Sequence, residues 1–167
     1  MNYELLIMNY ELSEMSMETG DIDILALLPH RPPLILVDQL VYFDQRAAKT
    51  VFTVHEANLF CKDGRMEEAG FVENIAQTCA AHTGFKQYLR NNGANDKIKI
   101  GVIAMIHSLE INRRPLTGEV LETSMVIEEE VFSTTLVRSE VKIGNEPIAT
   151  CKMKLFLTEK MTDNRRD

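Results

Sequence analysis

Leu27–Asp38 reads LLPHRPPLILVD, and Glu67–Ala81 reads EEAGFVENIAQTCAA. The first is a short apolar turn, a Pro-His-Arg-Pro-Pro break and then a strand-like run. The second opens a long apolar helix and sets one carboxylate, Glu73, in its second turn. Burying an unpaired charge is strongly unfavourable, so a carboxylate on an otherwise apolar helix is either a solvent-facing accident or a reagent.

Working outward, Asp21–Leu28 (DIDILALL) has an acidic start and a proline stop at Pro29, the marks of a short helix. Leu34–Asp44 reads as a first strand opened by Pro33, and Arg46–His55 as a second, joined as a hairpin by a tight turn. A loop follows from Glu56 to Arg65. The long helix is predicted from Met66 to Asn91, with Glu67 and Glu68 favoured at its N-terminus by the helix dipole, Arg90 at its C-terminus and Gly93 as the cap. It is apolar or small on most sides, which predicts a buried helix. Four strand-like runs come after it: Ile98–Ile111, Glu119–Phe132, Thr134–Ile143 and Pro147–Thr158. Six strands and one long helix share a core if the sheet curls around the helix, an α+β arrangement. One apolar side would then stay open in a monomer, which predicts a dimer.

With 167 residues the chain suffices for one domain with a true core. We expect it over 21–159, with an acidic, flexible tail over 1–20, where MNYEL occurs twice, and a polar tail over 160–167. The net charge of −7 argues against nucleic acid as a partner, which calls for a basic patch. It leaves room for an acidic carrier protein that meets a local basic spot. Cys61, Cys79 and Cys151 are odd in number and far apart, with no CxxC pair, so neither a zinc site nor a disulfide framework is expected, and a reducing cytosol is. No metal or other cofactor is called for. No apolar run approaches the ~18 residues that span a bilayer, and the start lacks a signal-peptide pattern.

These segments together resemble the hotdog-fold 3-hydroxyacyl-carrier-protein dehydratases of the FabZ type, over about Ile24 to Leu157. LLPHRPPLILVDQLVYFD is similar to that family's opening. VENIAQTCAA is similar to its VEAMAQAAA helix, which implies that Glu73 is the functional carboxylate and Gln77 its companion. IHSLEINRRPLTGEVLE resembles its fifth-strand signature. Each match alone is weak, and their order makes them specific. The departure lies in the loop before the helix. The family carries a GHFPG-like stretch there, whose His works with the helix Glu across a dimer. This chain reads NLFCKDGRMEEAG, with no His and no Pro from Glu56 to Ala81. The shorter loop and the PHR-P opening resemble the dehydratase-like proteins of aryl-polyene and flexirubin clusters.

Dehydration of a 3-hydroxyacyl thioester needs a base at C2, an acid for the leaving hydroxyl and donors for the thioester oxygen. Glu73 is the candidate acid or base, unless it is an ordinary exposed helix residue. The backbone amides at Gly70 and Phe71 are candidate donors for the thioester oxygen, unless Gly70 only eases packing. Gln77, one turn after Glu73, would orient it or bind substrate. His30 has a structural reading in its turn and a catalytic one. His55, at the end of the second strand, is the nearest stand-in for the missing loop His. His82, nine residues after Glu73, falls on the opposite helix face and reads as an interior residue, and His107 as a solvent or interface residue. Arg113 and Arg114 form a local positive spot that would receive a phosphopantetheine phosphate or an acidic carrier, unless they are a solvated turn.

Three functional readings follow. The first is a dehydratase acting on an acyl carrier protein or coenzyme A thioester, with Glu73 as acid/base. The second is a hotdog thioesterase, in which the helix carboxylate alone suffices. The third is a catalytically degenerate partner that completes half of a shared site in a hotdog heterodimer. A homodimer, a heterodimer or a higher oligomer is expected, without membrane insertion.

Overall fold

The computed structural model describes residues 17–20, 22–93 and 97–163. One antiparallel sheet wraps one long helix. The helix, α1, spans Glu68–Arg90. The strands are β1 (Met17–Glu18), β2 (Gln39–Phe43), β3 (Ala47–Thr53), β4 (Cys61–Lys62), β5 (Arg65–Met66), β6 (Lys97–Ile111), β7 (Val120–Val131), β8 (Thr134–Ile143) and β9 (Glu146–Asp163). The main sheet runs β1-β2-β3-β7-β8-β9-β6, and β4 and β5 form a separate two-stranded ribbon. Six strands carry the sheet, with β1 as a two-residue addition at one edge.

The inward faces follow the period of two expected of a half-buried strand. Leu121, Thr123, Met125 and Ile127 of β7 are buried, as are Val137 and Val141 of β8 and Cys151 and Met153 of β9. Phe71, Ile75 and Phe85 of α1 meet them, and Phe43 packs edge-on to Phe85 at 4.8 Å. The helix is apolar on this face but not wholly so, since Asn74, Gln77, Thr78 and His82 are buried there too.

Several boundaries differ from the sequence expectation. The Asp21–Leu28 helix shrinks to a 3-10 turn over Ile24–Ala26, capped by the Asp23 carboxylate, which accepts from the Leu25 amide at 3.0 Å. The turn lies against α1 so closely that a Cβ at Gly84 would collide with the Leu27 carbonyl. At the end of α1, Asn92 rather than Gly93 takes the first left-handed position (φ 51), and the Gly93 amide reaches back to the Tyr88 carbonyl at 2.9 Å. This is the paired-bond closure of a Schellman motif, completed by the Asn92 amide on the Leu89 carbonyl at 3.3 Å. Of the acidic tail, residues 1–16 lie outside the described residues, and Met17–Glu18 pair with Phe43 and Tyr42 as β1. Of the polar C-terminal tail, 160–163 belong to β9 and the rest lies outside the described residues.

Candidate active site

The chain from Leu34 to Asp38, expected as the start of a strand, leaves the sheet, and β2 begins only at Gln39. Side chains of α1 take the place of a neighbouring strand. The Leu36 amide donates to Gln77 Oε1 at 2.8 Å, and Asn74 Nδ2 donates to the Leu36 carbonyl at 2.7 Å. Gln77 Nε2 donates to the Leu34 carbonyl at 2.7 Å and to Glu73 Oε1 at 2.8 Å. Because Oε1 of Gln77 receives an N–H, its amide can point only one way, with Nε2 toward Glu73. Asn74 is held in turn by the Thr123 hydroxyl, which donates to its Oδ1 at 2.6 Å. All four of Asn74, Gln77, Thr78 and Thr123 are fully buried and hydrogen-bonded, as buried polar groups must be.

This seam fixes the Pro-His-Arg-Pro-Pro segment over the second turn of α1. Arg31 locks the turn by donating to the Leu28 and His30 carbonyls at 2.9 and 2.7 Å. His30 is thereby presented to Glu73, with Nε2 at 3.3 Å from Oε1. Burial lowers the pKa of His30, Glu73 opposes that and the Arg31 charge adds to it; the net is downward, which favours the neutral ring. Glu73 Oε1 thus faces two nitrogens, while Oε2 has no hydrogen-bond partner among the described residues. His30 Nδ1 is buried and unpartnered. The histidine that works beside the helix carboxylate in the resembled family comes from the loop before the helix. Here the histidine nearest to Glu73 comes from the turn upstream, and from the same chain.

His30 and Glu73 stand in the wall of a groove of about 620 Å³ that runs along α1, between the helix and the sheet. The opposite wall is made by β6, β7, β8 and β9, with Ile103, Met125, Val137 and Leu155 supplying apolar surface. Cys79 also borders it, but burial pushes its thiol up to about 12, so it is not a nucleophile at neutral pH. His82 borders it from the core side, stacked on Phe43 at 5.0 Å with Nε2 at 2.9 Å from the Asp44 carbonyl. It is an interior residue, and burial lowers its pKa. At the far end lie Lys86, Arg90 and Lys99.

The other expected site residues lie elsewhere. His55 is exposed, set edge-on to Phe52 at 6.1 Å, and does not line the groove. Gly70 is buried and its amide donates to the Glu67 carbonyl at 2.9 Å; a Cβ there would press on Met66 at 2.6 Å and on Phe60 at 3.1 Å. Phe71 is fully buried in the core. Neither borders the groove, and both are packed into the buried interior. Arg113 is spent on Glu119 (2.7 Å) and Glu146 (3.1 Å), and Arg114 on Glu67 (2.9 Å). That corrects the expectation of a positive spot there: three carboxylates cancel it. The shortened loop holds no reactive side chain over the groove. It is tied down by Asn58 Nδ2 on the Ile35 carbonyl at 3.2 Å and by the Glu67 amide on the Phe60 carbonyl at 2.7 Å.

Asn74, Thr123 and Arg31 were not singled out from the sequence. Asn74 and Gln77, three apart on an apolar helix, are the signal that could have revealed the seam. Among the described residues no group of His, Cys, Asp and Glu is arranged to hold a metal ion, and no helix is long and apolar enough to cross a membrane.

Comparison with solved structures returns the same architecture. The dehydratase heterocomplex ApeI:P from Xenorhabdus doucetiae matches with a TM-score of 0.74 at 16% identity, over 83% of this chain and 93% of that one. A homologue of HP0420 from Helicobacter felis matches at 0.61 and 12% identity, over 86% and 94%. The PaaI protein of E. coli, from a phenylacetic acid degradation operon, matches at 0.55 and 13%, over 71% and 81%. At these identities the likeness is one of fold, the hotdog fold. No curated protein sequence matches the chain. The family model for ApeP dehydratases covers residues 22–164, nearly all of the described chain. The chain therefore belongs to the ApeP-like dehydratase family.

Proposed function

We propose that the chain dehydrates 3-hydroxyacyl thioesters, carried on an acyl carrier protein or coenzyme A, to trans-2-enoyl thioesters in a synthesis of the fatty-acid or polyene type. The observation that carries this reading is the 3.3 Å approach of His30 to Glu73 at the groove wall, within one chain. The His30 Nε2–H and Gln77 hold Glu73 Oε1, which leaves Oε2 as the base. It takes the C2 proton, and the carboxylic acid so formed returns that proton to the departing 3-hydroxyl. The C2–H and C3–O bonds break, the C2=C3 bond forms, and water leaves. His30 is neutral here and supports the carboxyl through both steps without adding a charge that would blunt it.

The test is intact-mass spectrometry of a 3-hydroxyacyl carrier protein incubated with the protein and with Glu73→Gln. Loss of one water from the acyl chain, abolished in Glu73→Gln, is expected. Release of free acid would replace the reading with thioester hydrolysis by the same carboxylate. An unchanged substrate would leave the chain as a silent subunit, a reading that the in-chain His30–Glu73 contact speaks against.

We also propose a second hotdog subunit, identical or related, along β6. This strand closes one edge of the sheet and exposes Val102, Met105 and Ile106. An apolar, unpaired edge of this length invites another strand. The heterocomplex named for the Xenorhabdus protein makes a related, non-identical partner the pairing to test first.

A further inference from the structure

The groove has a reactive end and a basic end. Lys86 and Arg90 lie in the last turns of α1, and Lys99 is the third residue of β6. Lys86 is half-buried, while Arg90 and Lys99 are exposed. None of the three makes an ion pair with a described residue. Arg113, Arg114, Lys142 and Lys152, by contrast, all have carboxylate partners. Glu130 is the only carboxylate of this half of the groove among the described residues, so three cations outnumber one anion. On a chain of net charge −7, a concentration of unneutralised cations at the mouth of an apolar channel calls for an anion that enters with the ligand.

Length fits the anion to the ligand. Along α1, at 1.5 Å per residue, Lys86 lies about 20 Å from Glu73 and Arg90 about 25 Å. A phosphopantetheine arm joins a pantoyl unit, a β-alanine and a cysteamine through two amides, and on ordinary bond lengths it spans roughly 20 Å when extended. With its thioester at Glu73, its phosphate would arrive among these side chains.

We infer that Lys86, Arg90 and Lys99 form the anchor for the phosphate of the substrate's phosphopantetheine arm, so that the arm lies along α1 in the groove between helix and sheet. This rests on the thioester reading above, and it moves the docking point from the Arg113–Arg114 turn to the end of the helix.

The test uses two non-hydrolysable 3-hydroxyacyl amide analogues, one ending in pantetheine and one in 4′-phosphopantetheine, titrated calorimetrically into the full chain. The native protein is expected to bind the phosphorylated analogue about tenfold more tightly, a preference that shrinks with added salt. In Lys86→Glu/Arg90→Glu the preference disappears while affinity for the pantetheine analogue holds; Lys86→Ala, with far-ultraviolet dichroism as a check on the helix, serves if the double variant misfolds. Arg113→Ala leaves the preference intact. Equal affinity for both analogues in the native protein, binding of neither, or a preference that survives in the variants would overturn the anchor. Because no turnover is needed, a phosphate preference in a protein that dehydrates nothing would retire the dehydratase reading and keep the anchor.

Discussion

The two halves of α1 are built on opposite terms. In the first, Glu73, Asn74, Gln77 and Thr78 are tied to one another and to two other segments of the chain. In the second, Lys86 and Arg90 line the groove without an ion pair to any described residue. The helix supplies one continuous rod, yet it spends its buried hydrogen bonds where geometry must be held to fractions of an ångström and leaves unpaired charge where a ligand would supply the partner. Gly84 sits between the halves, where the Leu27 backbone crosses the helix without room for a Cβ.

The largest expected effect tests the first half. Replacing His30 by Gln keeps a donor near Glu73 but removes the ring, and should lower turnover by about ten- to a hundredfold and reshape its pH profile. Steady-state kinetics on an acyl thioester checks this, and an unaltered pH profile would reduce His30 to a structural role. Next, Gly84→Ala pushes the crossing backbone off the helix and should cost about 3 kcal/mol. Thermal unfolding would register it. If Gly84→Ala is neutral, the boundary between the halves is softer than the close packing implies. Asn74→Ala strips the Leu36 carbonyl and the Thr123 hydroxyl of their partner, for about 2 kcal/mol in denaturant unfolding and a further loss of activity as the Leu34–Asp38 segment loosens.

A smaller effect comes from acid. His30 and His82 are both held below the ordinary value of 6.5 by burial, so the unfolded chain takes up their protons first as pH falls. Stability should therefore be flat above about pH 6.5 and decline below it, until the folded-state values are passed. The slope is at most about 1.4 kcal/mol per pH unit for each histidine. Denaturant titrations at pH 7 and 5.5 would show it, and His82→Gln should flatten it. The smallest effect belongs to the paired arginines. Arg113→Ala breaks a half-buried ion pair with Glu119 and a more exposed one with Glu146 and should change stability by about 1 kcal/mol.

Much of this was legible in the sequence. The alternation of Leu121, Thr123, Met125 and Ile127 announces β7, and the small-and-apolar run from Phe71 to Phe85 announces a packed helix, because both are written in local periods. The Leu34–Val37 run misled, since four apolar residues look alike whether their backbone pairs with a strand or with Asn74 and Gln77 some forty positions away. The site was half legible. Glu73 stood out as a charge on an apolar helix, whereas its neighbour His30 is brought there only by the polar seam and by Arg31. The Arg113–Arg114 doublet drew attention for its charge, but Glu67, Glu119 and Glu146, which neutralise it, are scattered along the chain and meet it only in the fold.

The contact between His30 and Glu73 within one polypeptide also has a bearing on inheritance. Where a pair of cooperating side chains is split between subunits, both genes must keep their half, and a mutation in either silences the site. With both side chains encoded in a single reading frame, selection acts on them as one unit. A companion subunit is then at liberty to diverge, keeping only the surface by which it is held.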